Sequence, residues 1–233
     1  MPAKGKIRNM FDSIAADYDK LNHLLSLDVD KAWRKKAIRE VRPGGKVLDL
    51  ACGTGDFAIA IARALPESHV TGVDLSTGML SVMEQKVRDL GLEGRIESEE
   101  GDGENLRFED STFDRVTNAF GIRNFEEKEK GLEEALRVLV PGGKLVILEL
   151  SRPDNKVLRW FYDLYFLNIL PKIGGSVSGD KAAYSYLPAS VKNFPGKKEF
   201  TAMMRDAGFE RVTHKAFTFG ICRMYTGCKP NNQ

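Results

Sequence analysis

A glycine-containing turn after a short apolar run is the first candidate for chemistry in this sequence. Residues 47–56 have the sequence VLDLACGTGD, and residues 70–74 have the sequence VTGVD, which ends in Asp74. In parallel sheets, such a turn lets the backbone approach a nucleoside-containing ligand, and an acid ending the next strand accepts hydrogen bonds from ribose hydroxyls. The pattern therefore predicts a site for an adenosine-type cofactor.

Two cofactor classes fit the glycine turn. Gly53, Gly55 and Ala58 satisfy a relaxed dinucleotide pattern, so a nicotinamide-dependent dehydrogenase stays open, as does a turn needed only for tight packing. Asp49 lies just before the turn, where its carboxylate would repel a pyrophosphate but could meet the ammonium of a methionine group. The chain also ends in a predicted antiparallel hairpin rather than a second mononucleotide-binding half. Both features resemble the class I methyltransferases that use S-adenosylmethionine.

The elements that must position this turn alternate along the chain. Strands are predicted at 46–50, 69–74, 95–99, 113–119 and 144–150, and helices at 57–65, 78–90 and 126–140. This alternation predicts parallel βαβ units. Residues 209–217 and 220–227 form two final strands, which must be antiparallel because only a tight turn joins them. The predicted fold class is α/β, a Rossmann-like and mostly parallel seven-stranded sheet with a terminal antiparallel hairpin.

One methyltransferase domain over residues 1–233 is predicted, with two helical additions. Residues 1–42 are interpreted as an N-terminal lid, and residues 151–195 as an insert that covers the substrate. The stretch 160–170 is apolar nearly all round. Such a helix is buried in the core, pairs with a second copy of the chain as in a homodimer, or receives an apolar ligand.

Charge and cysteine content narrow the partners and the compartment. The net charge of +2 is no argument for nucleic acid, but residues 1–46 hold eleven Lys or Arg against six acids. That basic end is either solvated surface or a transient contact with an anionic membrane face. Three cysteines without metal or disulfide spacing indicate a reducing cytoplasm. We expect a cytoplasmic protein, since neither a secretory signal nor a spanning apolar run is present, and contact with the inner face of the membrane stays open.

Several further blocks resemble the ubiquinone/menaquinone biosynthesis C-methyltransferase family. They include YDKLNHLLS at 18–26, FGIRN at 120–124 and RVLVPGG at 137–143. The resemblance covers roughly residues 8–229. The chain departs from the family pattern where Asp30 replaces a usual His, Val140 a usual Lys and Ala119 a usual Ser. The first departure puts a role for position 30 in proton transfer in doubt.

The resemblance implies an S-adenosylmethionine-dependent methyl transfer to a ring carbon of a prenylated quinol. In the menaquinone branch, demethylmenaquinol would become menaquinol. The alternatives are the equivalent C-methylation of a polyprenyl methoxy-benzoquinol in ubiquinone biosynthesis, or both reactions. A methyltransferase for another small molecule and a non-catalytic S-adenosylmethionine-binding subunit of a quinone-synthesis complex also stay open.

The resemblance to class I methyltransferases assigns the cofactor residues, and positions after the fourth strand and in the N-terminal segment assign the catalytic ones. The expected cofactor-binding residues are Asp49, Gly53, Thr54, Gly55, Asp74, Asp102, Gly103 and Ala119. The expected catalytic residues are Arg123, Asn124 and Tyr18. Arg123 is too basic to act as a general base, so it would hold a phenolate or orient water, and the proton acceptor stays open. No metal is predicted.

Overall fold

A seven-stranded sheet forms the centre of the molecule. The computed structural model describes residues 4–26, 28–165 and 181–231. The strands are β1 Lys46–Leu50, β2 His69–Asp74, β3 Ile96–Glu100, β4 Phe113–Ala119, β5 Leu139–Leu150, β6 Glu210–Phe217 and β7 Cys222–Cys228. Their order is β3-β2-β1-β4-β5-β7-β6, and only β7 runs antiparallel to its neighbours β5 and β6. The predicted fold class is confirmed.

Helices connect the strands and cover the sheet. They are α1 Lys4–Ile14, α2 Tyr18–Ser26, α3 Val29–Val41, α4 Asp56–Ala64, α5 Thr77–Asp89, α6 Lys128–Val138, α7 Lys156–Leu164, α8 Lys181–Asn193 and α9 Lys197–Asp206. Short polar side chains begin two of them: Ser76 accepts the Met79 N–H at the start of α5, and Asn155 accepts two N–H groups at the start of α7. Such caps satisfy backbone donors that the first helical turn leaves free.

The sheet separates two apolar clusters. Val47 of β1 packs with residues of α3, α4 and α5 on one side, and its neighbour Leu48 packs with residues of α6 and α9 on the other. Successive side chains of a strand point to opposite faces, so a strand covered on both faces must be apolar at nearly every position. Asp49, inside that apolar run, is therefore an exception that requires a reason.

Strand β5 is longer than the sequence pattern indicated. The preceding helix was expected to reach residue 140 and the strand to begin at 144, but α6 ends at Val138 and β5 begins at Leu139. Leu139 already pairs with Phe113, and the register shifts before Arg115 pairs with Lys144. The Pro-Gly-Gly segment is thus an irregularity within the strand rather than a turn before it, because pairing with β4 continues across it.

A third apolar cluster joins the N-terminal helices to the described parts of the insert. Ile14 of α1, Met79 of α5, Tyr162 of α7 and Val191 near the end of α8 belong to it. Met79 lies just beyond the carboxyl end of β2, so these helices meet above that edge of the sheet. The predicted stretch 160–170 is described only to residue 165, and its last five residues lie outside the described part of the chain.

Basic residues of the N-terminus have acidic partners within the fold. Lys4 Nζ lies 2.9 Å from Glu104 Oε2, and Arg8 Nη1 lies 2.9 Å from Glu100 Oε1. These ion pairs attach α1 to the end of β3 and to the loop after it. In the described part of the chain, no helix is long and apolar enough to cross a bilayer.

Candidate active site

A cavity of about 380 Å³ opens above the carboxyl ends of the strands. Its wall includes the turn after β1, the end of β2, the loop after β3 and the loop after β4. Strand β1 lies between β2 and β4, where the connections change direction, and ligands of open α/β sheets bind at such a switch point. All eleven predicted site residues except Gly55 line this cavity.

The two glycines of the turn have different roles. Gly55 has a φ of +80°, and a Cβ added there would lie 2.4 Å from Met83 Cγ, so this glycine allows α4 and α5 to pack. Gly53 has a φ of +56°, and a Cβ added there would meet no atom within 4 Å. The backbone at Gly53 faces open space, which leaves room for a ligand to approach it closely.

Asp74 is held by the turn that it faces. Its Oδ2 accepts the Gly53 N–H at 2.8 Å, and its Oδ1 accepts the Ser76 N–H at 2.9 Å. Burial raises the pKa of Asp74, although these backbone donors oppose the shift. A carboxylate has about four acceptor positions. Asp74 is therefore fixed in place and keeps acceptor capacity toward the cavity.

Asp49 is a buried acid with one unsatisfied oxygen. Its Oδ1 accepts a hydrogen bond from the Thr117 hydroxyl of the neighbouring strand β4 at 2.7 Å. The residue is 1% exposed, and its Oδ2 makes no hydrogen bond to a described residue. Burial raises the pKa of Asp49 to about 7, with the Thr117 hydroxyl opposing the shift. Such a group is readily converted to a carboxylate when a cation binds beside it.

Cys52 in the same turn is not a nucleophile. Burial raises the pKa of its thiol well above the usual value, and Asp74 and Asp49 add to the shift. The thiol therefore stays protonated at neutral pH, whereas the thiolate is the reactive form. Its Sγ lies 3.5 Å from Met83 Sδ, in keeping with a packing role.

The loop after β3 contributes Asp102 and Gly103. Asp102 Oδ1 accepts the Glu104 N–H at 2.9 Å, while Asp102 Oδ2 accepts from Lys4 Nζ at 2.6 Å. A Cβ on Gly103 would lie 2.6 Å from the Phe125 ring. The glycine thus allows the loop to pack against this ring, and α1 holds the Asp102 carboxylate at the cavity wall.

The N-terminal helices α1 and α2 contact the glycine turn and the start of α5 directly. Asp12 of α1 accepts from Ser76 Oγ at 2.5 Å and from the Gly78 N–H at 3.0 Å, at the start of α5. Asp19 of α2 accepts from the Thr54 hydroxyl of the glycine turn. These bonds attach α1 to the start of α5 and α2 to the glycine turn.

Arg123 is a buried cation with a buried partner. Its Nη1 donates to Glu149 Oε1 at 2.8 Å and to the Phe120 carbonyl, and its backbone N–H donates to Glu149 Oε2 at 3.1 Å. Glu149 is fully buried. Burial alone would lower the pKa of Arg123, but Glu149 and Tyr18 outweigh it and raise the pKa. Arg123 is therefore a fixed positive charge at the cavity.

Asn124 and Tyr18 complete the predicted catalytic set. The Tyr186 hydroxyl of α8 donates to Asn124 Oδ1 at 3.0 Å, which fixes the orientation of the amide. Burial raises the pKa of Tyr18, against the effect of the nearby Arg123, so this phenol is neutral at pH 7. The structure thus brings both residues to the same cavity as Arg123.

The structure also brings together three possible metal ligands that the sequence did not indicate. Ligand atoms of His23, Asp30 and Asp56 lie within 4.8 Å of one another, as metal ligands would. However, Arg34 donates to Asp30, and Lys86 Nζ lies 2.6 Å from Asp56 Oδ1. Two protein cations already neutralise these carboxylates, so the donor set does not favour a metal ion.

Sequence reasoning missed several residues that hold the site. Glu149 had a usable signal, because it is an acid near the end of an apolar strand, as Asp49 is. Arg34 lines the cavity from α3, and Tyr186 of α8 bonds to Asn124, which lines it. Neither had a local signal, since both arrive from helices distant in sequence.

Solved structures of low sequence identity share this fold. The 4+2 cyclase SpnF has a TM-score of 0.73 at 17% identity and covers 98% of this chain and 97% of its own. A possible histamine N-methyltransferase from Thermotoga maritima has a TM-score of 0.68 at 20% identity, with coverage of 95% and 99%. The architecture of this chain is therefore the class I, Rossmann-like fold. A cyclase within that group shows that the architecture alone leaves the chemistry open.

Sequence comparison is more specific. The model of the ubiE/COQ5 methyltransferase family matches residues 2–229, and the chain belongs to that family. A ubiquinone/menaquinone biosynthesis C-methyltransferase UbiE from Geobacter sulfurreducens is 49% identical over 227 residues, 96% of this chain and 88% of the relative. A demethylmenaquinone methyltransferase from Bacteroides fragilis is 43% identical over 226 residues, 96% and 92% of the two chains. The family predicted from the sequence blocks is confirmed.

Proposed function

We propose that this protein is an S-adenosylmethionine-dependent C-methyltransferase that converts demethylmenaquinol to menaquinol. The supporting observation is the cleft of Gly53, Asp74 and Asp49 in a chain that belongs to the ubiE/COQ5 methyltransferase family over residues 2–229. The cleft fits this cofactor. Open space at Gly53 admits a ligand to the backbone, Asp74 keeps acceptor capacity for ribose hydroxyls, and the unsatisfied Asp49 Oδ2 suits an ammonium.

Each predicted cofactor residue that lines the cavity has a proposed part of the ligand. Asp74 would hold the ribose, Gly53 and Thr54 the ribose and methionine portions, Asp49 the ammonium, and Asp102 with Gly103 the adenine, with Ala119 at the wall. Gly55, which was also predicted to contact the ligand, instead allows α4 and α5 to pack. Leu75 and Met79, which also line the cavity, would flank the adenine. When bound, S-adenosylmethionine supplies an electrophilic methyl group.

The protein must make a ring carbon of the quinol nucleophilic. A phenol has a pKa near ~10 in water, so its anion has to be stabilised before the neighbouring carbon can react at neutral pH. Arg123 supplies a permanent positive charge at the cavity, and Glu149 and the Phe120 carbonyl fix its direction. We assign Arg123 to the phenolate oxygen and Asn124 to the orientation of the hydroxyl.

Tyr18 belongs to the lid in this proposal. It enters the cavity from α2, whose Asp19 contacts the glycine turn. Closing residues 1–42 over the cofactor, and the described helices of 151–195 over the quinol, would exclude water from a reaction that consumes opposite charges. Because Arg123 stays protonated, the proton of the quinol must leave to another group or to water.

Product analysis tests the function. Purified protein is incubated with methyl-labelled S-adenosylmethionine and one of two quinols, either demethylmenaquinol or a polyprenyl methoxy-benzoquinol. The products of each incubation are then identified by mass analysis. The proposal expects a labelled methyl group on the naphthoquinol ring. Label only on the benzoquinol would move the function to the ubiquinone branch. Cofactor binding without product would indicate a non-catalytic subunit.

Transient contact with a membrane surface would give access to a prenylated substrate. Helix α7 supports this extension, because Trp160 and Phe161 are 62% and 57% exposed while Tyr162 of the same helix lines the cavity. Flotation with anionic vesicles should carry the protein upward, and the variant Trp160→Ser with Phe161→Ser should float less. No flotation of the parent protein would remove this contact. A mass in solution of two chains, lost in the variant, would indicate a homodimer at this face instead.

A further inference from the structure

The cavity has two halves, which follow the order of the strands in the sheet. The predicted cofactor residues that line it lie in or just after β1, β2 and β3, apart from Ala119 at the end of β4. Beyond β4, its lining comes from the loop after β4, the end of β5 and the turn between β6 and β7, and includes Phe120, Leu150, Thr218 and Ile221. This second half also contains Arg123, so it is the half left for the quinol.

The indole of Trp33 is a fixed part of the second half. Trp33 of α3 lines the cavity and is 5% exposed. Its Nε1 donates to the Thr218 hydroxyl oxygen at 2.8 Å. Its ring centroid lies 6.1 Å from that of Phe120, with the two ring planes at 58°. A buried indole that has both a hydrogen-bond partner and an aromatic neighbour keeps one orientation.

Strained backbone holds both neighbours of the indole. Phe120 has a φ of +62° and Thr218 a φ of +45°. Bulky and β-branched residues rarely adopt this left-handed conformation, and it persists where the surrounding structure enforces it, often at functional sites. The Phe120 carbonyl accepts from Arg123 Nη1, so the same strained residue connects the indole with the cation assigned to the phenolate.

We propose that Trp33 and Phe120, with Thr218 as the anchor of the indole, form an aromatic wall that selects a fused two-ring quinol over a one-ring quinol. This selectivity rests on the proposed function, in which Arg123 holds the quinol. A fused ring presents more flat surface to the wall than a single ring does, and aromatic pairs are stabilised beyond the area that they bury. Because the indole is anchored, it does not turn aside for the methoxy groups that a one-ring quinol carries instead of the second ring.

Calorimetric titration tests the aromatic wall with demethylmenaquinol and a methoxy-benzoquinol that carry the same short prenyl tail. Anaerobic conditions keep both quinols reduced, and S-adenosylhomocysteine replaces the methyl donor, so binding is measured without reaction. The parent protein should bind the two-ring quinol more tightly. In Trp33→Leu the affinity for that quinol should fall about three- to tenfold, as expected for one aromatic pair, while the affinity for the one-ring quinol changes less than about twofold.

Two further variants separate the wall from general packing. Thr218→Val keeps the shape of the side chain but removes the acceptor of the indole N–H, so the preference for the two-ring quinol should shrink. The matched control is Trp160→Leu, the same change at the second tryptophan of the chain. Trp160 is 62% exposed and is not among the cavity-lining residues, so both affinities should be kept.

Every result decides between the alternatives. Equal affinity of the parent protein for the two quinols, or a preference for the one-ring quinol, overturns the selectivity and needs no variant. Equal weakening of both quinols in Trp33→Leu also overturns it, since the indole then has only a structural role. If Trp33→Leu does not fold, an unchanged preference in Thr218→Val overturns the anchored wall. If the parent protein binds neither quinol, the proposed function itself fails.

Discussion

Titration of the buried carboxyl group of Asp49 gives the sharpest test of the site. Burial raises the pKa of Asp49 to about 7. A carboxyl group with that pKa is about one-tenth ionised at pH 6 and about half ionised at pH 7. If only the carboxylate accepts the ligand ammonium, the affinity for S-adenosylmethionine rises about fivefold between these pH values, or about 1 kcal/mol. The α-amino group of the ligand, with a pKa near ~8, stays mostly protonated over this range.

Calorimetry in two buffers of different ionisation enthalpy measures both consequences. The affinity should follow the fivefold rise, and binding at pH 7 should release about half a proton, because the ligand converts the protonated half of the Asp49 population. Asp49→Asn should bind more weakly and show no such rise. Thr117→Val should move the rise to higher pH, because the hydroxyl that donates to Asp49 Oδ1 no longer favours the carboxylate.

The ligand-free protein offers an independent readout. Because the pKa of Asp49 is higher in the folded than in the unfolded chain, the stability that it contributes is present below about pH 4 and is lost as pH rises toward about 7. The free energy of unfolding in urea should therefore fall more in the parent than in Asp49→Asn over this range, by up to about 4 kcal/mol. The same pH dependence of binding in the parent and in Asp49→Asn would refute the reasoning.

Three further predictions concern the catalytic wall. Arg123→Lys keeps the charge but loses the forked geometry, so steady-state turnover should fall about tenfold or more while calorimetric cofactor affinity changes less than about twofold; equal losses would contradict its role. Glu149→Gln leaves Arg123 as an uncompensated buried charge, so urea unfolding should show a loss of about 3–5 kcal/mol, and an unchanged stability would show that the pair contributes little. Tyr186→Phe removes the hydroxyl bonded to Asn124, so turnover should drop several-fold with an unchanged melting temperature; unchanged turnover would release Asn124 from its proposed orientation.

Local sequence patterns predicted the sheet and brought the predicted residues, except Gly55, to one cavity. The turn at Gly53, the acid that ends the strand at Asp74 and each predicted strand are patterns of only a few residues, so their structural consequence follows largely from backbone geometry. The predicted end of the helix before β5 was wrong by two residues. Leu139 is in the strand because it pairs with Phe113 of β4, and that partner is distant in sequence. The roles of the site residues stay predictions.

The sequence by itself determined the family, the order of the strands along the chain, and the chemistry available at Asp49 and Arg123. Only the tertiary structure decided how that chemistry is tuned. Glu149 reaches Arg123 across 26 positions, and Arg34 enters the cavity from a helix that precedes the first strand. Burial sets the ionisation of Asp49, and burial depends on which distant elements pack around a residue. No pattern in the neighbouring sequence contains that information.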